Sequence, residues 1–274
     1  MLKDKLTIVI NSCGAYSDLW NGQIELLNRN WKDRNVKTII LTDTNPNNYK
    51  YDNIEIICAG EKKEITERLR FVMPYITTED IFLTLDDYYL VEKVDNNRIE
   101  YLINEMEKQN LSYIRLYKNP TSKDKIGDGL YKIHHEQHKS SYYVNLYAGI
   151  WKKSFMELTI NDNLNAWQYE VSLTPFVQNN NIDCATTNGN EYKILDVVRK
   201  GKILHKAHKY FKKDPVYTGN RPLVPYSVEF KERFRFVIRK ILPRNLFLAI
   251  KKKAIKKGET FYSPIDEGFY EQKK

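Results

Sequence analysis

What most limits the fold of this chain is a series of short, β-branched apolar runs separated by polar turns and helical segments. Leu6–Ile10, Lys37–Asp43, Ile54–Cys58, Asp80–Leu85 and Tyr113–Tyr117 each have the length and composition of a buried strand. Between them lie stretches with apolar residues at helical spacing: Leu19, Ile24, Leu27 and Trp31 after Asp18; Ile65, Leu69 and Val72 within Lys63–Pro74; and a segment from Asn97 to Gln109. Strands alternating with helices in this way predict an α/β fold with a largely parallel sheet covered on both faces. Beyond these elements, Tyr142–Ile150 reads as a further strand and Ser154–Leu158 as a helix. The polar stretch between Lys118 and Ser141 reads as a hairpin or mobile loop.

In such sheets ligands collect beyond the carboxyl ends of the strands. The run Ile81-Phe82-Leu83-Thr84-Leu85 ends there on two adjacent carboxylates, Asp86 and Asp87. Neighbouring carboxylates repel unless a cation shares them. Mg²⁺ or Mn²⁺ suits oxygen ligands and is commonly completed by substrate phosphates. The bland alternative is a solvated turn opened by an Asp-Asp pair.

Two blocks carry a resemblance. The first is Glu67-Arg68-Leu69 followed by Ile81 through Asp86-Asp87-Tyr88-Tyr89-Leu90. The second is Asn145-Leu146-Tyr147-Ala148-Gly149-Ile150-Trp151-Lys152-Lys153, followed by Asn165-Ala166-Trp167-Gln168-Tyr169-Glu170. Over about residues 5–205 their order and spacing resemble bacterial GT-A (Rossmann-like) glycosyltransferases of surface, capsular or lipopolysaccharide, polysaccharide synthesis. The resemblance implies a catalytic domain over residues 1–210, with a donor-binding half about 1–118 and an acceptor-binding half about 140–210. It implies a nucleotide-sugar donor, UDP-sugar favoured, contacted by Asn11, Ser12, Cys13, Asp43, Arg68 and Asp86. It also implies a glycan or lipid-linked oligosaccharide acceptor. Asp87 would hold the metal. A late histidine, His205 or His208, would complete the metal site, with Lys202 or Lys206 on phosphate. Asp43 as a loop cap and Arg68 as a solvated helix residue remain open.

Transfer with inversion needs a base for the acceptor hydroxyl proton. Glu170, flanked by Trp167 and Tyr169, is the expected one, because apolar neighbours raise a carboxylate's proton affinity. The alternatives are that it orders a helix start or, in a retaining enzyme, only binds acceptor. Tyr88, Tyr147, Trp151 and Trp167 are expected to floor the acceptor pocket, since sugar C–H faces pack on aromatic rings. His134, His135 and His138 sit in a Lys- and Ser-rich loop and read as solvent-exposed.

Charge sets the C-terminus apart. Residues 199–257 hold 19 of the chain's 44 Lys and Arg but 3 of its 35 Asp and Glu, leaving 25 against 32 elsewhere. Residues 211–274 are read as a basic, helical extension in which Phe230, Phe234, Val237, Ile238 and Ile241 share a face. Such a helix fits an anionic membrane surface, or it packs on the domain. No run approaches the roughly 18 apolar residues of a spanning helix. Three scattered cysteines point to reduced thiols. A cytoplasmic protein, peripheral at the inner face of the membrane, is expected. Two other readings are nucleotidyl transfer and nucleic-acid binding. The first usually needs basic residues in the loop after the first strand, and Asn11-Ser12-Cys13-Gly14 has none. The second lacks a recognition motif, so no nucleic acid is expected.

Overall fold

The computed structural model describes residues 1–117, 122–134, 142–216 and 218–228, with Leu246, Ala249, Ile250 and Lys253. They fall into two compact units. One comprises Met1–Asp196 with Val216–Gly219, and the other begins at Val197. His135, His138 and the apolar face from Phe230 to Ile241 lie outside the described residues.

In the first unit, a short helix α1 (Leu2–Lys5) leads into β1 (Leu6–Asn11). A 3-10 turn over Gly14–Leu19 then runs into α2 (Trp20–Asn30). Next come β2 (Lys37–Thr42), β3 (Glu55–Cys58) and α3 (Ile65–Val72). A box of Glu64 and Glu67, each side chain accepting from the other's backbone amide, starts α3. The strand β4 (Asp80–Leu85) is followed, after the turn at Asp86 and Asp87, by β5 (Tyr88–Leu90). Helix α4 (Asn96–Lys108) begins where the Asp95 side chain accepts from the Asn97 amide at 2.9 Å. Then follow β6 (Tyr113–Arg115), a hairpin of β7 (Lys125–Gly127) and β8 (Leu130–Ile133), β9 (Gly149–Lys152), α5 (Lys153–Thr159), α6 (Ala166–Asn179), β10 (Cys184–Thr187) and β11 (Ile194–Asp196).

The main sheet runs β3-β2-β1-β4-β9-β6-β10-β8-β7. Seven of these nine strands point the same way, and β9 and β8 oppose them. The fold is therefore α/β with a mostly parallel sheet and flanking helices. A two-stranded ribbon joins β5 to β11. Alternate residues feed two cores, as the period of two along a strand requires. Ile8, Ile10, Phe82, Ile114 and Ile150 face α2 and α4, while Val9, Ile81, Leu83, Tyr113 and Trp151 face α3, α5 and α6.

The strand expected over Tyr142–Ile150 is the main departure, because only its end is β9. Upstream, the Asn145 side chain folds the chain on itself. Its Oδ1 accepts from the Tyr147 amide at 3.0 Å and its Nδ2 donates to the Tyr142 carbonyl at 3.2 Å. This is the local competition by which Asn diverts backbone from a ladder. Strand β9 then enters antiparallel between β4 and β6. Gly149 opens it because a Cβ there would stand 2.8 Å from the Tyr113 ring and 3.0 Å from the Ile114 carbonyl oxygen.

The second unit contains β12 (Val198–Arg199) and β13 (Lys202–Ile203), an antiparallel pair, and α7 (His205–Phe211). Among the described residues no helix is long and apolar enough to cross a membrane, and Cys13, Cys58 and Cys184 are free thiols.

Trp151 is wholly buried, its ring 4.7 Å from Tyr113 and 5.6 Å from Phe155. It is core, not the pocket floor expected of it. Trp167 is 54% exposed on α6. Trp151→Ala should therefore cost about 3–5 kcal/mol of stability in urea unfolding, and Trp167→Ala within about 0.5 kcal/mol. The reverse ranking would contradict this placement.

Candidate functional site

The carboxyl ends of β1, β2 and β4 lie side by side, and they bring together most of the residues expected at the donor. Asn11 closes β1 between Leu41 and Leu85, with its carbonyl accepting the Asp86 amide at 3.3 Å. Its buried side-chain Oδ1 has no partner among the described residues. Asp43, after β2, gathers donors on one oxygen. Oδ1 accepts from the Gly14 amide at 2.6 Å, the Thr44 amide at 2.7 Å and the Thr42 hydroxyl at 3.2 Å. Partial burial works to raise its pKa, but these hydrogen bonds and the charge of Arg68 outweigh it and hold Asp43 below the usual carboxylate range. Gly14 is required for this approach, since a Cβ there would clash with Thr44 Oγ1. Arg68, on α3, donates to the Lys63 carbonyl at 2.7 Å, and its buried Nε has no acceptor among the described residues. Cys13 stands near Asp43, Asp86 and Arg68. Burial first, then the two carboxylates, pushes its thiol pKa up.

Ser12 departs from expectation. It is buried, accepts the Trp20 indole N–H at 2.7 Å and donates to Asp86 Oδ2 at 2.5 Å. Its hydroxyl is spent inside the protein, so Ser12 orients Asp86 and does not itself present to a donor. Asp86 is buried by this contact, while Asp87, next along the turn, is half-buried.

A second carboxylate acts on Tyr88, the residue that follows this turn. Glu170 lies on α6, which starts with Asn165 and Gln168 bonding each other's amides. It accepts from the Leu146 amide at 3.3 Å. Burial raises its pKa, and the Leu146 amide and the Arg115 charge only partly offset that rise. Tyr88 links the two carboxylate sites. Burial, then Asp87, Asp196 and Glu170, pushes its hydroxyl pKa far up, so the phenol stays neutral. Its ring lies 5.4 Å from Tyr147, which stacks on Tyr117 at 4.5 Å. The Arg115 guanidinium lies 5.5 Å from the centre of the Tyr117 ring. The result is a tyrosine wall running from the Asp87 turn toward Arg115, with the charge of Glu170 felt at both of its ends.

Arg115, Tyr117 and Asp196 were missed in the sequence. A charge inside the apolar strand Tyr113-Ile114-Arg115-Leu116 was the available signal, because a buried Arg needs a reason. Lys202 and His205 belong to the second unit. There Lys202 pairs through β13 with Arg199, and His205 Nε2 donates to the Val224 carbonyl at 2.8 Å while its ring stacks on Tyr226 at 3.8 Å. That nitrogen is used in packing the second unit. His134, the described member of its trio, bonds Asp124 at 2.7 Å.

No family model and no curated protein matches the chain. Solved structures resemble it at low identity. S. aureus TarS in complex with UDP-GlcNAc is 8% identical with a TM-score of 0.49 over 73% of this chain and 60% of that one. A UDP-glucose pyrophosphorylase complexed with UDP-glucose is 10% identical with a TM-score of 0.47, over 70% of this chain and 93% of that one. A cytidylyltransferase from Leptospira borgpetersenii is 11% identical with a TM-score of 0.41, over 81% and 99%. The chain spans 36% to 60% of the length of the TarS structures.

The raised pKa of Glu170 has a consequence for folding. The folded protein holds that proton more tightly than the unfolded chain, so ionisation costs stability above the raised value. The cost disappears as pH falls through the ordinary 4.5. Glu170→Gln keeps an oxygen for the Leu146 amide but carries no charge. Its melting temperature should exceed wild type at neutral pH, with the gap closing below pH 4.5. A gap independent of pH would contradict the burial of this charge.

Proposed function

We propose that this chain is a glycosyltransferase of GT-A type, moving a sugar from a nucleoside-diphosphate donor, a UDP-sugar by preference, to a hydroxyl of a glycan or lipid-linked acceptor. The observation that carries this reading is the meeting of two unlike carboxylate sites. One is a strand-end Asp pair with Asn11, Asp43 and Arg68 beside it. The other is the half-buried Glu170, which acts electrostatically on Tyr88 and Arg115. The first suits a nucleotide and its phosphates. The second suits a proton acceptor at a sugar face.

In this reading Asn11, Asp43 and Arg68 hold the nucleotide end, and Asp86 is kept in place by Ser12. The acceptor hydroxyl lies against Tyr88 and Tyr147. As its oxygen bonds to the anomeric carbon, the bond from that carbon to the diphosphate breaks, the electron pair leaves with the nucleoside diphosphate, and Glu170 Oε takes the hydroxyl proton. Burial prepares Glu170 for this by raising its affinity for the proton. A divalent cation fits the turn in donor chemistry, because Asp86 and Asp87 offer only hard oxygens. Among the described residues no group of three His, Cys, Asp or Glu is gathered as a metal site, so phosphate and water oxygens would complete the shell. When bound, Mg²⁺ or Mn²⁺ would neutralise charge on the departing diphosphate.

Nucleotidyl transfer is less well supported, because the loop after β1 carries no Lys or Arg and spends its Gly14 amide on Asp43. The basic C-terminal stretch fits an anionic membrane surface, where lipid-linked acceptors reside. Co-sedimentation with vesicles containing phosphatidylserine, but not with neutral vesicles, and its loss on truncation after Val228, would support that placement; equal sedimentation of both forms would oppose it.

The test of activity is release of UDP from a panel of UDP-sugars with Mg²⁺ or Mn²⁺. Asp87→Ala should abolish release by at least about a hundredfold, as should EDTA. Glu170→Gln should bind UDP as wild type but lose transfer by about a hundredfold or more. Full activity in the Asp87 variant or in EDTA would remove the metal role, and wild-type turnover in the Glu170 variant would remove it as base.

A further inference from the structure

Arg115 is buried, with 6% of its surface exposed, yet among the described residues no carboxylate lies within ion-pair distance of it. Its Nη1 donates to the Tyr142 carbonyl at 2.9 Å, an oxygen that also accepts from Asn145 Nδ2 at 3.2 Å. Its Nε–H is buried and has no acceptor among the described residues. The chain shows the ordinary arrangement elsewhere. Arg98 is more exposed, and it still pairs with Glu191 at 2.9 Å and Asp128 at 3.8 Å. Glu170 acts on this charge only from beyond ion-pair distance. A guanidinium taken out of water without a contacting counter-charge or full hydrogen bonding is costly, and a charge kept there calls for a closer partner.

The position of Arg115 narrows what that partner is. It ends β6 on the sheet face that packs against α6, the helix that carries Glu170. Tyr117, 42% exposed, stands over the guanidinium and begins the stack that runs through Tyr147 to Tyr88. The cation thus lies at the far end of the wall proposed to seat the acceptor, away from the strand-end Asp pair. The fixed fork of N–H donors on a guanidinium matches the oxygens of phosphate or carboxylate.

We propose that Arg115 anchors an oxyanion carried by the acceptor, so that the acceptor is a phosphate- or carboxylate-bearing glycan and not a neutral one. The proposal rests on the transferase reading for the word acceptor, but the anion site itself is testable without it. Inorganic phosphate and, separately, acetate are titrated into the full chain saturated with UDP, which occupies the proposed donor end. The Arg115 Nε–H resonance, assigned through bonds to its own backbone, is followed. It should move saturably with one or both anions. Arg115→Lys, which keeps the charge but loses the fork, should weaken that binding by about tenfold or more, read by the Tyr147 amide. Movement with phosphate alone assigns a phosphoryl-bearing acceptor, and movement with acetate alone a carboxylate-bearing one. An Nε–H resonance that neither anion moves, or equal affinity in Arg115→Lys, overturns the proposal. Because the movement is read in the wild-type chain, an unfolded variant leaves the test standing. Failure of UDP to bind would sink the transferase reading, while the titration would still report on Arg115.

Discussion

The short chain of hydrogen bonds from Trp20 through Ser12 to Asp86 joins three elements at the carboxyl edge of the sheet. Trp20 starts α2, Ser12 follows β1, and Asp86 follows β4. The indole N–H and the carboxylate compete for no common group, because the hydroxyl between them accepts from one and donates to the other. Each buried polar atom is satisfied at small entropic cost, since Trp20 is already packed into the core. The consequence is geometric. Once Asp86 is tied down on one oxygen, the next residue, Asp87, is held at the strand end, and Tyr88 is directed into the ribbon with β11. The position of the candidate site therefore follows from an interaction that contributes no chemistry of its own.

Much of this was legible in the sequence, for a physical reason. The strands β1, β2 and β4 are buried on both faces, so they are largely apolar runs, and Asn11, Asp43 and Asp86 mark their carboxyl ends. The helices α3 and α4 announce themselves by apolar spacing and by capping side chains. Strands β10 to β13 did not stand out. They are two to four residues long, too short for periodicity to register. Tyr142–Ile150 misled because its residues have strand propensity, whereas Asn145 turns the backbone through its own side chain. Trp151 was misplaced for a related reason. Propensity marks it as a strand residue but does not show that its strand lies mid-sheet, where both faces are packed.

The roles of side chains were less legible than their positions. Ser12 fell at the expected strand end, but only three-dimensional contacts reveal that its hydroxyl is already engaged. Arg115 was overlooked because a single charge in a short strand reads as an edge or a face exposed to water. Its burial is set by α6, which arrives from 50 residues further along the chain, and by Tyr117 beside it.

The two carboxylate sites illustrate how one fold separates tasks among identical functional groups. Asp43, although partly buried, receives two amides and a hydroxyl on one oxygen and stays ionised more readily than a free carboxylate. Glu170 is more deeply buried and receives a single, longer amide contact, so desolvation prevails and its proton affinity rises. The difference lies in the number of donors supplied, not in the residue type. Arg115 bears on the same balance. Its charge lowers the proton affinity of Glu170, so an oxyanion seated on Arg115 would weaken that influence and make Glu170 a stronger base. Acceptor binding and proton removal would then be coupled through one buried cation, with Glu170 strengthened as a base only when the group that supplies the proton has arrived.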